Sequence, residues 1–473
     1  MTYSLLPLLI AFFVTMAALS FVFRAWPRVV GLTGAALAAA TGLWLWSLDF
    51  SRPFWLFPNG VILDLTAPIT RFGYTFRLQE ANAPIVAMNL AIAAAALLLA
   101  ARTTADRTFS AMTWLLLTGY SLLALIVAGP IAPALASPIL LVMLTALGAF
   151  AVQGNRRVNP AGSLRMLIPP ILAAPVFFIA AWYVDQIPLN PQDASLPQIT
   201  GGLLGLGLLL LLMPFPLHTG WPATASTAAP PATLLVFMLS QLAVLHLAGQ
   251  ILTTYPFLLT ETDWAILLAL FGLLTAVWGG VAAIGATTAG QLWGYAALYD
   301  WGLIILVLAT PGVQSWTLVL FLFGLRAISM FTAATGLETL EQHLGRLDFA
   351  SLRGVGSHMP WNSAAFLLGG LGLLGFPLSA GFAGHWSALQ QVAALDWRPA
   401  AVVLVASGVA VIGFVRIARD MFGQQSSLTI PRERVASITV AILALAITIT
   451  AGIAPQLLND YVGRALAAFG RGV

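Results

Sequence analysis

Residues 215–220 read FPLHTG and residues 376–381 read FPLSAG, and each stretch interrupts a long apolar segment. A proline inside a helix removes a backbone hydrogen bond and clashes with the preceding turn, so each stretch predicts a broken helix. The residues that mark the two breaks are Pro216, Gly220, Pro377 and Gly381. In lipid the freed carbonyl groups need partners, so broken helices persist where they face protein or a hydrated cavity. The pattern predicts two matching sites at membrane depth. The alternative is that the stretch recurs by chance in a chain rich in Leu, Gly and Pro.

The composition around these stretches is that of a membrane protein. Of the 473 residues 60% are apolar and 8% are charged, whereas soluble domains carry roughly 25% charged residues. A soluble enzyme is therefore excluded. The absence of cysteine excludes disulfides, thiolate chemistry and Cys-ligated metal centres. All 20 basic residues are arginine, which also excludes lysine Schiff bases and lysine proton carriers, and the net charge of +4 is too dispersed for a nucleic-acid partner.

Fourteen segments are apolar enough to predict membrane-spanning helices, since a span needs about 20 mostly apolar residues. The predicted spans are 3–23, 29–48, 83–101, 108–129, 132–153, 165–185, 200–217, 231–253, 263–286, 289–310, 315–337, 361–379 with a continuation to 394, 399–419 and 435–455, followed by an amphipathic tail at about 456–470. The sequence thus predicts an all-α integral membrane protein that forms one membrane domain over 1–473.

The two breaks fall in the seventh and twelfth predicted spans, which are five spans apart. Two five-helix units of opposite orientation would place such breaks at matching positions, and paired broken helices in inverted repeats indicate a transport site. We therefore expect an N-terminal unit at 1–107, repeats at 108–253 and 263–419, and a final helix with its tail at 435–473. Loops after odd-numbered spans hold 13 arginines and the other side holds 6, which predicts that both termini lie outside. The expected location is a bacterial inner membrane.

Polar residues at membrane depth are costly and indicate function. The candidates for a proton pathway are His218, Gln241, His246, Asp300, Arg326 and His385. His385 follows the second break, and its side chain suits proton exchange because the unperturbed pKa of histidine is about 6.5. The alternative for each histidine is a structural role, in which its ring bonds freed carbonyls or lies in a packed turn or a helix contact.

Asp300 and Arg326 lie on successive predicted spans, and either charge alone would be expensive in hydrocarbon. We therefore expect them to pair, either as a static brace or as a gating element of a relay. Arginine stays protonated, so Arg326 can steer protons but is a poor carrier. The polar residues after residue 337 fit a solvated connector, and the sequence predicts no catalytic site, cofactor or metal.

Four stretches together resemble the proton-conducting membrane transporter family, which comprises the antiporter-like subunits of respiratory complex I (NADH:quinone oxidoreductase) and the large subunits of Mrp sodium/proton antiporters. They are residues 214–222 (PFPLHTGWP) with 228–231 (AAPP), 294–302 (GYAALYDWG), 359–385 ending in GFPLSAGFAGH, and 74–78 (YTFRL). The resemblance covers nearly the whole chain. The first stretch departs from the family pattern by having Ala223 in place of an Asp and its Trp displaced by one position.

The resemblance implies two inverted half-channels around a polar axis of one Glu and three Lys, His or Glu residues. The matching positions depart from that set. Residues 108–155 contain no Asp, Glu, Lys, Arg or His, the lysine of the first break falls at about Leu211, the next lysine at about Gln241, and the last site at His385. We therefore predict a diverged member in which proton translocation is impaired or lost.

Three functions remain open at this point. The first is an antiporter-like subunit of a complex I-type or Mrp-type assembly, with other membrane subunits and lipids as partners. The second is a self-sufficient proton or cation transporter with a rewired relay of His, Asp and Arg residues. The third is an enzyme-like membrane module that binds quinone or lipid, for which the sequence offers no redox site.

Overall fold

The computed structural model describes residues 2–50, 54–55, 62–64, 66–71, 73–102, 107–127, 133–153, 161–424 and 432–469. Four arginines used for the orientation prediction, at positions 52, 156, 157 and 471, lie outside these residues, as do the ends of two predicted spans at 128–129 and 132.

Nineteen α-helices form most of the described chain. They are α1 Leu6–Val22, α2 Pro27–Ser47, α3 Ala83–Ala100, α4 Phe109–Leu125, α5 Ala136–Gln153, α6 Ala161–Gln186, α7 Ser195–Leu212, α8 Gly220–Thr227, α9 Pro230–Thr254, α10 Phe257–Thr260, α11 Trp264–Ile284, α12 Ala289–Leu308, α13 Val313–Leu344, α14 Val355–His358, α15 Pro360–Gly372, α16 Phe382–Leu395, α17 Trp397–Met421, α18 Val435–Ile453 and α19 Asn459–Ala468.

Among the described residues, eleven helical segments are long and apolar enough to cross a membrane, with 195–227 counted as one. Two shorter apolar helices, α1 and α4, accompany them. Helical residues overlie every predicted span, and the two spans with FPL stretches each become two helices, α7 with α8 and α15 with α16. The prediction of an all-α multi-pass membrane fold is confirmed.

Three helices form the centre of the bundle. In the most apolar 18-residue stretch of each helix, all residues of α9, 89% of those of α12 and 72% of those of α13 are buried. The outer helices expose leucine, isoleucine and phenylalanine side chains, as a lipid-facing surface requires. Close packing of α11 on α12 depends on small residues: a Cβ at Gly279 would meet the backbone of Tyr299, and one at Gly302 the backbone of Ala276.

Short strands lie at one end of the bundle. They are β1 Thr2–Ser4, β2 Phe54–Trp55, β3 Ile62–Asp64, β4 Ile69–Arg71 and β5 Tyr74–Phe76. Strand β3 pairs with β1 in parallel and with β2 in antiparallel register, and β4 pairs with β5 in antiparallel register. Strand β5, which lies within the stretch 74–78, leads into α3.

Both described chain termini lie at this same end, which we call the terminal end. Strand β1 pairs with β3 there, and the guanidinium of Arg464 on α19 donates to the carbonyl oxygen of Trp46 at 3.1 Å. At the opposite end, Arg102 donates to Thr339 Oγ1 at 2.5 Å and to Ser437 Oγ at 2.6 Å, which joins α3, α13 and α18.

The connector after α13 carries one of the predicted solvated carboxylates. The hydroxyl and backbone N–H of Ser351 donate to Asp348, and these hydrogen bonds lower the pKa of the Asp348 carboxyl. No group of three or more His, Asp or Glu residues that could hold a metal ion occurs in the part of the chain that the structure describes.

Candidate functional site

The first break separates α7 from α8, and neighbouring helices satisfy its backbone. Helix α7 ends at Leu212, whose carbonyl oxygen accepts a hydrogen bond from Trp301 Nε1 on α12 at 2.9 Å. The backbone N–H of Phe215 donates to Thr275 Oγ1 on α11, also at 2.9 Å. Because a buried backbone group without a partner costs several kcal/mol in lipid, these two contacts explain how the break is tolerated.

The second break separates α15 from α16 and is also satisfied by side chains. The carbonyl oxygen of Leu374 accepts a hydrogen bond from Ser407 Oγ on α17 at 2.8 Å. The Nδ1 atom of His385, in the first turn of α16, lies 2.9 Å from the carbonyl oxygen of Gly381. Gly375 has φ of 70°, and a Cβ there would lie 2.5 Å from the Cβ of His385, so this position requires glycine on both counts.

A buried polar cluster lies between the two breaks, made of Gln241 on α9, Asp300 on α12, Arg326 on α13 and His385 on α16. Arg326 Nη1 donates to Asp300 Oδ2 at 2.5 Å and to the carbonyl oxygen of Ala297 at 2.8 Å, and Nε donates to Gln241 Oε1 at 3.0 Å. His385 Nε2 lies 3.2 Å from Asp300 Oδ1. The four residues are 1 to 4% exposed, so water contributes little to their solvation.

The contact between His385 and Asp300 is at ion-pair distance but lacks hydrogen-bond geometry. A carbonyl oxygen only accepts hydrogen bonds, so Nδ1 of His385 donates to the carbonyl oxygen of Gly381. The other ring nitrogen, Nε2, faces Asp300 Oδ1 at 3.2 Å and has no hydrogen-bond partner among the described residues. The arrangement brings an imidazole and a carboxylate together beside the second break.

Three consecutive residues of α12 connect the cluster to both breaks. Trp301 bonds Leu212 at the first break, and its ring lies 5.8 Å from the Arg326 guanidinium. Asp300 contacts Arg326 and His385, and Tyr299 stacks on the His385 ring with centroids 5.9 Å apart. Successive residues of a helix point about 100° apart. Because α12 lies between the two breaks, its three side chains can reach both of them.

The cluster contains four of the six predicted pathway residues. The expected Asp300–Arg326 pair is present, and Gln241 and His385 join it. His218 instead stacks on Phe215 at the first break, with ring centroids 5.4 Å apart.

His246 lies on α9 beyond the cluster. Its Nε2 atom is 3.1 Å from Gln250 Nε2, and its ring contacts that of Phe469 edge-on at 5.7 Å. The observed contacts of His218 and His246 are therefore with residues outside the cluster, and their place in a proton pathway stays a prediction.

The sequence analysis did not predict several residues of the site, because they carry no charge. Trp301, Tyr299, Thr275 and Ser407 support the breaks or the histidine ring. The sequence feature that could have identified them is a hydroxyl or indole group in an otherwise apolar helix next to a helix broken by proline.

Close packing surrounds the cluster on the side of the first break. Leu211, at the position where the resemblance places a lysine, is 2% exposed and apolar. The gap bounded by Trp221, Phe237, Trp301 and Arg326 is too small for a water molecule. This gap therefore has no room for ordered water.

Comparison with known proteins gives a family match over residues 176–413, to the family described as NADH:quinone oxidoreductase/Mrp antiporter, TM. The NADH-quinone oxidoreductase subunit N of Parafrankia is 27% identical over 285 residues, which are 58% of this chain and 53% of that protein. The formate hydrogenlyase subunit 3 of Escherichia coli is 29% identical over 252 residues, covering 50% and 40%. The chain thus spans about half the length of the curated relatives it matches.

Solved structures share the fold over nearly the full length. A chain of the archaeal membrane-bound sulfane sulfur reductase superimposes with a TM-score of 0.78 at 18% identity, over 98% of this chain and 97% of that one. A chain of the Mrp complex from Dietzia gives 0.75 at 16% identity, over 98% and 97%.

Removing the indole N–H of Trp301 is expected to destabilise the first break. In Trp301→Phe the carbonyl of Leu212 loses its donor, and a buried unsatisfied carbonyl costs about 1–3 kcal/mol. Trp293→Phe is the matched control, because Trp293 is buried on the same helix and its Nε1 has no hydrogen-bond partner among the described residues. Thermal unfolding in detergent should show a clearly larger loss for Trp301→Phe, and equal losses would contradict this role.

Neutralising Asp300 is expected to be strongly destabilising. Asp300→Asn leaves the Arg326 charge buried without its counter-ion, and breaking a buried pair typically costs about 3–5 kcal/mol. In the double variant Asp300→Asn/Arg326→Gln both charges are gone, so its loss of stability should be smaller than the sum of the two single losses. Additive losses in a double-mutant cycle would show that the pair is not coupled.

Proposed function

Because the chain belongs to the NADH:quinone oxidoreductase/Mrp antiporter family, we propose that it is an antiporter-like membrane subunit of a complex I-type or Mrp-type ion-translocating assembly, with proton translocation impaired or lost. The proposed loss of proton translocation rests on the residues that occupy the polar axis. Leu211 and Gln241 stand where the resemblance places two lysines, and Gln241 accepts a hydrogen bond from Arg326.

The proposed architecture has fourteen membrane crossings in one domain. The two broken helices, α7–α8 and α15–α16, support inverted repeats at 108–253 and 263–419, with residues 1–107 before them and 435–473 after them. The arginine distribution supports a position of the terminal end on the outer side of a bacterial inner membrane. The contacts of β1 with β3 and of Arg464 with Trp46 agree with termini on one side.

The proposed partners are other membrane subunits and lipids. Structures of similar fold come from multisubunit assemblies, a sulfane sulfur reductase complex and an Mrp complex. Relatives by sequence include subunits of NADH-quinone oxidoreductase and formate hydrogenlyase. The chain itself is proposed to contribute no cofactor and no catalytic centre.

The loss of translocation follows from what the cluster can and cannot do. Proton hopping along an axis needs successive groups that gain and release protons, and arginine keeps its proton under all ordinary conditions. Arg326 is also held by three hydrogen-bond acceptors, so it lacks the freedom of a switching partner. The dry gap beside Trp221 and Phe237 leaves no water to replace the missing carriers.

One observation favours the alternative of a self-sufficient transporter. His385 and Asp300 lie at ion-pair distance beside the second break, where the backbone is already interrupted. A rewired relay would use that pair together with Arg326 and the more distant His246.

Proton uptake into proteoliposomes distinguishes these functions. With a potassium–valinomycin potential and an internal pH dye, we expect uptake by the purified chain to equal that of protein-free vesicles. His343→Ala is a matched control for His385→Ala, since the Nδ1 of each ring contacts the carbonyl four residues earlier. Uptake that His385→Ala abolishes and His343→Ala preserves would overturn the proposed loss and support the rewired relay.

Purification from native membranes in a mild detergent tests the subunit assignment. We expect the chain to elute as part of a larger complex in which mass spectrometry identifies further membrane subunits, including another member of this family. A chain that elutes alone and translocates protons would contradict the assignment.

A further inference from the structure

An apolar crevice runs along the bundle between α3, α9, α13, α18 and α19. It consists of two adjoining cavities of about 320 and 310 Å³. The first is lined by residues such as Met88, Ala95, Met238 and Phe331, and the second mainly by one face of α18 that includes Ala446. Each volume is at the lower end of the range for small-molecule sites.

Three side chains are common to both cavities and divide the crevice into two chambers. They are Ile328 of α13, Ile447 of α18 and Leu458 just before α19. The lining is almost wholly apolar, and the methionines of the first chamber can adapt to a flexible occupant because their side chains are unbranched. Two adjoining apolar chambers fit a molecule with two hydrocarbon chains.

The helix α19 closes the crevice at the terminal end and has the pattern of an interfacial helix. Val462 and Leu466 are buried against the bundle, whereas Asp460 and Arg464 are on the exposed side. Such a helix lies at the boundary between hydrocarbon and headgroups, with its charged face toward water. Tyr461 lines the first chamber, so the chamber begins directly beneath this boundary.

A cation and two aromatic rings mark the headgroup level. Tyr461 stacks on Trp46 with ring centroids 6.1 Å apart, and the Arg464 guanidinium lies 4.8 Å from the Trp46 ring. Arg464 donates to Asp460 at 3.2 Å and to the Trp46 carbonyl at 3.1 Å, and its side chain is 49% exposed. A guanidinium has five N–H donors, so donors remain for a phosphate group.

We propose that this crevice is a binding site for a diacyl phospholipid. The headgroup phosphate binds at Arg464, and the two acyl chains occupy the two chambers on either side of Ile447 and Leu458. Charge complementarity at Arg464 and the division of the apolar volume favour this occupant over an isoprenoid quinone, which has one chain and a polar ring. The proposal concerns the outer surface of the bundle and does not depend on whether protons are conducted.

Native mass spectrometry of the full-length chain tests the site. The protein is purified in mild detergent, and dioleoyl phosphatidylglycerol is then added in increasing amounts. We expect one tightly bound phospholipid per chain. Ala95→Phe and Ala446→Phe, which fill one chamber each, should lower its affinity about tenfold or more, and Arg464→Gln should lower it by a similar factor because a charge-assisted hydrogen bond is lost.

Two controls keep the test decisive. Ala18→Phe places the same side chain on an exposed surface of α1 and should leave binding unchanged. Lysophosphatidylglycerol, which has a single chain, should bind several-fold more weakly than the diacyl lipid. Equal affinities in all variants, equal binding of the two lipids, or a retained quinone in place of phospholipid would each overturn the proposal. Circular dichroism and size-exclusion profiles check that the variants fold.

Discussion

A guanidinium at membrane depth must find all its partners inside the protein, and much of this structure is arranged around one such group. Arg326 lies on α13 in the centre of the bundle and is 2% exposed. Its charge is offset by Asp300 on α12, and three of its N–H groups donate to a carboxylate, an amide and a backbone carbonyl. Because removing a charge from water costs several kcal/mol even after relaxation, the buried guanidinium depends on these partners.

The guanidinium of Arg326 also bears on the role of the two helix breaks. In a translocating axis, a broken helix allows water and a mobile cation to meet. Here the first break is closed by the indole of Trp301, which also contacts Arg326, and the second is closed by Ser407 and His385. Both breaks are therefore present in the backbone, and the carbonyl groups of Leu212, Leu374 and Gly381 have side-chain partners. His385 and Asp300 are the two ionisable side chains that meet at the second break.

Sequence reasoning predicted the features that depend on local chemistry or on single-residue cost. The proline and glycine spacing predicted both breaks, and the expense of an isolated charge in hydrocarbon predicted the Asp300–Arg326 pair. It could not predict which uncharged groups accept or donate at the breaks, since Trp301 and Ser407 are 89 and 33 residues away from their partners and only packing brings them there. For the same reason it could not predict that the contacts of His218 and His246 are with residues outside the cluster. The register of one helix against another is set by side-chain shape, which hydropathy does not record.

A fixed cation in a dry, low-dielectric interior has an electrical consequence. Asp300 offsets the charge of Arg326 at 2.5 Å, so a cation that approaches the middle of the bundle meets a compensated pair whose hydrogen-bonding groups already have partners. Under the proposal that translocation is lost, Arg326 beside a gap too small for water leaves the centre of the bundle without a path for ions. Such a subunit would span the bilayer of an energised membrane without dissipating its ion gradient.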